Sequence, residues 1–281
     1  MNTGVQNLSL EHWLAGARAS AQQPPAQPRQ PLVVNGQVVG SVADGFLEKI
    51  SRLRLMDKHF KLSNEEHMGV PAWHVHVSHT ASADATTQAL NTLAADLRDT
   101  GLCGPWRDEQ LAVTNPQGEV VATVERGAVR VLGIATRAVH LVGLAPDGRM
   151  WVQKRSMTKP NNPGLWDTLM GGMVSAADSL PQALARETWE EAGLRVEALQ
   201  GLRHGGHVDF SRPSREGGGA GYMCERIDWF CAQVPGDVEP INQDGEVERF
   251  ELLPLHTVRE QVAQGQFTLE AGLVIAGFLG L

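Results

Sequence analysis

A glycine pair followed by a short loop and a helix constrains the fold of this chain more than any other feature of its sequence. The stretch GGMVSAADSLPQALARETWEEAGL occupies residues 171–194. Ser179 is a preferred residue just before a helix, and Pro181 is tolerated in a first helical turn. Gly193 ends the helix, because glycine readily adopts a left-handed C-cap conformation. The sequence therefore predicts a helix between Ser179 and Gly193, entered through a tight glycine turn.

The predicted helix carries three glutamates on one face. Glu187, Glu190 and Glu191 stand at positions i, i+3 and i+4, so their side chains crowd together. Like charges at these spacings repel by roughly 0.2–0.5 kcal/mol per pair, which a divalent cation such as Mg²⁺ would reverse. Arg186 neutralises part of the charge, and we expect the opposite face, with Trp189, to pack on a sheet. Spacing alone fits a solvated helix face as well as a metal site.

The positions around these glutamates follow a longer pattern. The sequence follows the spacing Gly-x5-Glu-x7-Arg-Glu-aliphatic-x-Glu-Glu-x-Gly-aliphatic, with two departures. The positions of the pattern are held by Gly172, Asp178, Arg186, Glu187, Thr188, Glu190, Glu191, Gly193 and Leu194. This pattern is the Nudix box, and the chain resembles a Nudix hydrolase. Asp178 stands where the box has Glu, and Thr188 replaces an aliphatic residue that packs inward. Neither departure touches the central Arg-Glu-x-x-Glu-Glu.

The resemblance implies an activity and a set of site residues. Nudix hydrolases cleave a nucleoside diphosphate linked to another moiety, or a related diphosphate, using Mg²⁺ or Mn²⁺. By resemblance, Glu187, Glu190 and Glu191 ligate the metal together with the carbonyl group of Gly171, and Arg186 belongs to the same catalytic centre. A metal placed there would neutralise the diphosphate charge and lower the pKa of a water molecule for in-line attack at phosphorus.

Family members differ in the carboxylate that acts as general base. Glu187 is our first choice here. Glu246 and Glu248 alternate on a predicted late strand, so they share a strand face and are further candidates. Glu246 is also a candidate metal ligand. It is equally consistent with the sequence that Glu246 and Glu248 are simply exposed residues of this strand, without a catalytic role.

The resemblance extends beyond the box to a Nudix subgroup that has an added N-terminal domain. This resemblance covers the chain from about Pro31 to the C-terminus. The segments that show it are PLVVNGQVVGSV, VRVLGIATRAVHLVGL, WVQKRSMTKPNNPGLWDTLMGG and NQDGEVERFELLP. The subgroup includes the Nudix domain fused to some fungal thiamine pyrophosphokinases, with relatives in plants and bacteria. These relatives hydrolyse thiamine diphosphate, preferably in oxidised forms, to the monophosphate. The resemblance therefore implies a thiamine diphosphate substrate or an oxidised analogue.

Strand and helix signals divide the chain into three parts. Residues 1–30 hold one short amphipathic stretch and then QQPPAQPRQ, which predicts a flexible lead-in. Residues 31–125 contain two hairpin signals, at Asn35-Gly36 and over 111–124, and are predicted to form a smaller α+β domain. Residues 126–281 contain the box, and the resemblance implies a Nudix α/β/α sandwich with a mixed sheet. The predicted fold class is therefore α+β.

Basic and aromatic residues precede the box. Lys154, Arg155 and Lys159 are candidates for holding the terminal phosphate or positioning a ring of the substrate. Trp166 is a candidate for stacking on that ring. Solvated hairpin charges, and a tryptophan that anchors its own loop in the core, are the alternative interpretations.

Composition limits the possible partners. A net charge of −8 argues against a general nucleic-acid binder, because such affinity comes mainly from lysine and arginine. Three cysteines without C-x-x-C spacing favour a reducing compartment. We expect no signal peptide and no membrane span, and therefore a cytoplasmic protein with a small-molecule diphosphate substrate. The oligomeric state is not visible in the sequence.

Two alternative functions keep the same fold. The substrate is a nucleoside diphosphate derivative in the first, such as a nucleotide sugar or a dinucleotide. The second is a non-catalytic module that binds a diphosphate. The intact Arg186, Glu187, Glu190 and Glu191 argue against the second.

Overall fold

The computed structural model describes residues 9–51, 60–77, 82–159 and 161–281. The first half of the chain contains α1 Leu10–Ala21, β1 Arg29–Val34, β2 Gln37–Ala43, α2 Glu48–Ser51, β3 Phe60–His67, β4 Val70–Val77, α3 Ala83–Asp99, β5 Gln110–Thr114 and β6 Val120–Glu125. Four of these strands form a sheet of order β2-β1-β4-β3, and β5 pairs with β6 alone. α3 contacts both β4 and β6, so it joins the sheet and the hairpin into one α+β unit.

Both hairpins predicted in this part are confirmed. β1 and β2 pair antiparallel across a turn in which Asn35 and Gly36 have φ angles of 49° and 78°. Positive φ at both positions is what a two-residue hairpin turn requires. β5 and β6 also pair antiparallel, from Gln110 opposite Glu125 to Thr114 opposite Val120.

The second half of the chain forms a larger mixed sheet between helices. Its elements are β7 Ala135–Leu144, β8 Met150–Arg155, β9 Trp166–Asp167, β10 Met170–Met173, α4 Leu180–Ala192, β11 Gln200–Ser214, α5 Glu216–Gly219, β12 Gly221–Gln233, β13 Val247–Leu253, α6 Leu255–Ala263 and α7 Leu269–Phe278. The strand order is β11-β12-β7-β8-β13, with β10 beside β7 and β9 beside β8. β12 and β7 are parallel, whereas the other pairs are antiparallel.

The two faces of this sheet are covered by different helices. Val139 and Leu141 of β7 share a hydrophobic cluster with residues of α4. Ala138 and Val142 of the same strand belong to the cluster that contains the α7 residues. Because alternate strand residues point to opposite faces, the layers are helix, sheet and helix. The predicted α+β fold, with a separate N-terminal unit that contains strands, is confirmed.

The helix α4 begins and ends where the sequence predicts. Ser179 is its N-cap and forms a capping box with Gln182, and Gly193 has a φ angle of 63° at the C-cap. One expectation for this helix is wrong: Trp189 is 43% exposed, and its ring lies beside the Arg195 guanidinium. The buried position is instead Thr188, with no exposed surface.

Residues 1–30 are predicted to form a flexible lead-in, but in their described part, from residue 9 onward, they form a packed helix and an extended segment. α1 packs against α6, α7 and β11. It buries Leu10, Leu14, Ala17 and Ala21, which lie on one helix face. The backbone then continues along β11, where Gln23 N–H donates to the Ser211 carbonyl at 2.7 Å. An apolar stripe therefore overrides the proline-rich composition, and residues 1–8 lie outside the described residues.

The two units are joined by direct hydrogen bonds. The Ser41 N–H donates to the Leu132 carbonyl at 2.9 Å. Arg29 of β1 donates to the Ala220 carbonyl at 2.5 Å. These bonds hold the N-terminal unit against the segment that leads into β7 and against the start of β12. None of the helices in the described ranges is long and apolar enough to cross a membrane.

Candidate active site

A polar cavity of about 300 Å³ lies beside α4 at the edge of the mixed sheet. Its walls combine α4, β10, β7 and β12 with loop residues at 159, 161, 162, 244 and 246. Arg126 and Arg130 line it from the segment that connects the two units, and Glu109 lines it from just before β5. The cavity is thus built from parts of the chain that are distant in sequence.

Glu187 of α4 lies against the backbone of Gly172 in β10. A Cβ atom built on Gly172 would overlap the Glu187 carboxylate, so only glycine leaves this space free. Burial raises the pKa of Glu187 to about 7. Arg186 opposes this shift, while the charges of Glu191 and Glu190 add to it. Glu187 is therefore a buried carboxylate that stands beside one guanidinium and two like charges.

Glu191 is the most deeply buried of the three helix glutamates, with 2% exposure. Its carboxylate accepts hydrogen bonds from the Gly171 N–H at 3.0 Å and from Gln153 Nε2 at 2.9 Å. Lys159 Nζ lies 3.3 Å away. Burial raises the pKa of Glu191, and the Lys159 ammonium and the Gly171 N–H oppose this. These donors fix the orientation of the carboxylate in the cavity.

Arg186 organises the acidic helix face. Its guanidinium donates to Asp178 at 2.8 Å, to Glu187 at 2.9 Å, to Glu190 at 3.0 Å and to the Met173 carbonyl at 3.2 Å. Asp178 therefore binds the arginine and not the centre of the cavity, a role its short side chain can perform. One cation tethers two of the predicted metal ligands to the loop before the helix.

Lys159 and Arg155 are two of the basic residues that line the cavity. Lys159 forms ion pairs with both Glu191 and Glu246. The pKa of Glu246 is lowered, since the effect of burial is outweighed by the hydrogen bond and charge of Lys159. Arg155 donates to Asp167 at 3.1 Å and to the Asn161 carbonyl at 3.0 Å. Both cations are anchored by acidic groups, so they stand in defined positions.

Gly171 is required by a second close approach. A Cβ atom at this position would lie 2.7 Å from His140 Cε1. His140 is itself buried and lies 2.9 Å from Thr168 Oγ1 through Nδ1. The glycine pair thus lets the backbone pass between a histidine ring on one side of the strand and a glutamate on the other.

The side chains around this cavity suit a hard divalent cation. Three carboxylates of one helix face line a single cavity, and burial raises the pKa of two of them, Glu187 and Glu191. Oxygen ligands of this kind are those that Mg²⁺ and Mn²⁺ prefer. In the described ranges, however, no group of three or more histidine, cysteine, aspartate or glutamate side chains already surrounds one point. Arg186 and Lys159 neutralise the glutamates instead.

Most of the predicted site residues come together here, but three do not. The cavity is lined by eight of them: Gly171, Arg186, Glu187, Glu190, Glu191, Glu246, Arg155 and Lys159. Lys154 lies outside, with its ammonium over the Trp166 ring at 4.7 Å. Trp166 is only 5% exposed and is held in the core between Lys154 and Arg249. The substrate-binding role predicted for these two is therefore corrected. Glu248 is exposed and pairs with Arg249 at 2.6 Å, which removes it as a base.

Several cavity residues carry no recognisable signal in the sequence. His140 of β7 and Asp167 of β9 are buried polar residues that line the cavity. Arg130 and Glu225 are separated from the box by long stretches of chain. Only pairing of β7 with β12 brings Glu225 to the site. The one signal in the sequence that could have indicated these residues is a polar side chain within an otherwise apolar strand.

The mixed sheet, the glycine pair and the glutamate helix define a Nudix-type architecture, and comparison with known families agrees. Residues 135–271 match the family model described as NUDIX domain. Residues 15–136 match a second model, described as domain of unknown function DUF4743. The chain therefore contains a Nudix domain preceded by a DUF4743 domain, and it is homologous to Nudix hydrolases. The two matches meet near residue 135, beyond the boundary that the sequence predicts after residue 125.

Two curated relatives come from Arabidopsis thaliana. Nudix hydrolase 24, chloroplastic, is 29% identical over 262 residues, which is 89% of this chain and 66% of the relative. Nudix hydrolase 20, chloroplastic, is 32% identical over 203 residues, 69% of this chain and 52% of the relative. The chain thus spans about half to two thirds of the length of these relatives. A crystal structure of a Deinococcus radiodurans protein covers 61% of this chain and 98% of its own, at 23% identity and a TM-score of 0.44.

Proposed function

We propose that this protein hydrolyses a diphosphate linkage of a small molecule with the help of Mg²⁺ or Mn²⁺. The observation that carries the proposal is the convergence of Glu187, Glu190 and Glu191 with Lys159 and Arg155 on one cavity. Acidic groups suited to a cation, next to fixed basic groups suited to phosphate oxygens, are what diphosphate cleavage requires.

Each residue has a role that follows from its contacts. Glu187, Glu190, Glu191 and the carbonyl group of Gly171 would hold the metal, with Glu246 at the margin. The metal, when bound, would offset diphosphate charge and acidify a water molecule. Arg186 keeps Glu187 and Glu190 in position through hydrogen bonds of 2.9 and 3.0 Å.

The remaining roles concern the substrate and the attacking water. Lys159 and Arg155 would bind phosphate oxygens, since both reach the cavity and are held by acidic partners. Glu187 is our choice for the general base because it is buried close to the other glutamates and aimed at the Gly171–Gly172 edge. Removal of a proton from water by a positioned carboxylate accelerates attack on phosphorus.

For the substrate, we propose thiamine diphosphate or an oxidised analogue, cleaved to the monophosphate. This finer proposal is supported by the similarity of the segments that flank the box to thiamine diphosphate hydrolases of the Nudix family. A nucleoside diphosphate derivative is the alternative substrate. A cytoplasmic location and the absence of nucleic-acid binding stay predictions.

Hydrolysis assays with purified protein test both levels of the proposal. Thiamine diphosphate, its oxidised form, nucleotide sugars and dinucleotides would each be incubated with Mg²⁺ or Mn²⁺, and the phosphate-containing products identified. Cleavage of nucleotide derivatives alone would retain the diphosphate hydrolase and reject the thiamine substrate. A lack of cleavage in the whole panel would reject hydrolysis and leave a diphosphate-binding module.

A matched pair of variants tests the carboxylate helix. Glu190→Gln should lose turnover by orders of magnitude, while its thermal unfolding stays close to that of the wild type. Glu251→Gln is the control, because Glu251 lies on β13 away from the cavity and pairs with Arg249 at 2.8 Å. Equal turnover in both variants would remove α4 from the mechanism.

A further inference from the structure

The cavity has a second end that the glutamates of α4 do not reach. Strand register places Met173, Ala138 and Ile227 side by side across β10, β7 and β12. All three are buried apolar residues in the cavity wall. They form a floor, with Gly171 two residues away on one side and Glu225 two residues away on the other. Two residues span about 6.6 Å of strand, so the two ends are about 13 Å apart along the strand direction, and they lie on strands that flank β7 on opposite sides.

Glu225 at the second end has unused hydrogen-bonding capacity. Its side chain is only 6% exposed, and it accepts a hydrogen bond from Thr136 Oγ1 at 3.0 Å. The nearest guanidinium, that of Arg130, lies 3.8 Å away, and Arg130 is shared with Glu216 at 3.9 Å. A carboxylate can accept about four hydrogen bonds, and burying one with few partners is costly.

The other acidic residues at this end already have close partners. Glu109 pairs with Arg126 at 2.7 Å, and Glu270 pairs with Arg212 at 2.9 Å. Among the described acidic residues of this half of the cavity, Glu225 is therefore the one best able to accept a further hydrogen bond. A ligand group that donates N–H or carries positive charge would supply what the carboxylate lacks.

We propose that Glu225 determines specificity by binding an N–H or cationic group on the non-phosphate part of the substrate. The inference rests on the proposed function, because it takes the α4 end of the cavity as the diphosphate end. The substrate class is then a diphosphate ester of a nitrogen heterocycle. Its ring lies over Met173, Ala138 and Ile227, and its polar edge meets Glu225.

This assignment also gives the N-terminal unit a role in recognition. Arg130 stands 3.8 Å from Glu225 and belongs to the segment that matches the DUF4743 model. At this distance the Arg130 guanidinium partly balances the negative charge of Glu225 but does not donate a hydrogen bond to it.

The test compares a substrate that has a ring with one that has none. The first is whichever heterocyclic diphosphate of the assay panel the wild type hydrolyses best, and the second is methyl diphosphate. Glu225→Gln keeps the size of the side chain and its bond from Thr136. We expect it to raise KM for the ring substrate by about 10-fold or more with kcat little changed, and to leave methyl diphosphate hydrolysis unchanged. Glu251→Gln should change neither.

Two results would overturn the proposal. An unchanged KM for the ring substrate would show that Glu225 does not contact it, and an equal loss on both substrates would show a merely structural role. Glu225→Asp, which keeps the charge and shortens the reach, should give an intermediate KM.

The affinity for thiamine, measured by calorimetry, tests the role of Glu225 independently of hydrolysis, because thiamine has no phosphate group. We expect the wild type to bind thiamine and Glu225→Gln to lose about 10-fold or more in affinity. If the wild type cleaves no diphosphate, the proposed function fails while this measurement still decides the role of Glu225. Equal thiamine affinity in both proteins, or no binding to the wild type, would then count against it.

Discussion

The backbone of Gly172 lies directly against the carboxylate of Glu187, with no room for a β-carbon between them. Gly172→Ala should therefore displace the end of a flexible side chain and leave the sheet intact. We expect hydrolysis to fall by about 100-fold, because a displacement of about 1 Å at a catalytic group has that effect. Steady-state kinetics together with the thermal unfolding midpoint would measure it.

Gly236→Ala is the matched control for this substitution. A β-carbon at Gly236 would meet only Pro146, at the ordinary contact distance of 3.5 Å. Its activity and unfolding midpoint should stay at wild-type values. Full activity of Gly172→Ala would contradict the assignment of Glu187 to the catalytic centre.

The departure from the Nudix box at Thr188 has a cost in stability. Thr188 is completely buried, and within the described structure its hydroxyl has no hydrogen-bond partner. Thr188→Val should raise the free energy of unfolding by about 1 kcal/mol, because an unsatisfied buried hydroxyl is replaced by a methyl group of similar size. Urea unfolding would measure the change.

Thr168→Val provides the opposite case. Thr168 is equally buried, but its hydroxyl donates to the Met170 carbonyl at 2.8 Å and lies 2.9 Å from His140 Nδ1. Its replacement should lower the free energy of unfolding by about 1–3 kcal/mol. Destabilisation of the protein by Thr188→Val to the same extent would show that the Thr188 hydroxyl is satisfied in solution.

Lys159 acts as the counter-charge of Glu191 and Glu246. Lys159→Met should lower the free energy of unfolding of the metal-free protein by about 3–5 kcal/mol, because the buried Glu191 loses its cation. Added Mn²⁺ should then raise the unfolding midpoint more in this variant than in the wild type, since ligand binding stabilises the folded state. Lys154→Met, whose ammonium lies over an aromatic ring, should show the wild-type response to Mn²⁺. Equal shifts in all three proteins would place the metal elsewhere.

The cysteines should resist alkylation in the folded protein. Burial raises the pKa of Cys103 to about 11, and the nearby Glu125 and Glu216 add to this. The thiolate is the reactive form, so its population near pH 8 should be about 100-fold lower than that of a thiol with its usual pKa near 9. We expect slow iodoacetamide labelling that accelerates toward pH 11, and fast labelling in urea, both followed by mass spectrometry. Rapid native labelling of Cys103 at pH 8 would contradict the burial of its thiol.

Local signals in the sequence predicted many parts of the fold. The Asn35-Gly36 turn and the helix from Ser179 to Gly193 depend on residues close together in the chain. Sequence patterns failed where contacts between distant segments decided the outcome. α1 is packed, although the following segment is rich in proline, because α6, α7 and β11 cover its apolar face. Trp189 is exposed for the corresponding reason, since the sheet meets the helix on the side of Thr188.

By itself, the sequence determined which charged side chains stand together on α4. The spacing of Arg186, Glu187, Glu190 and Glu191 places them on one helix face whatever surrounds that helix. Only the tertiary structure decided the rest: that Lys159 reaches the glutamates while Trp166 is buried, and that Glu225 shares their cavity. The physical reason is that helix periodicity is local, whereas burial and strand register depend on which distant segments pair.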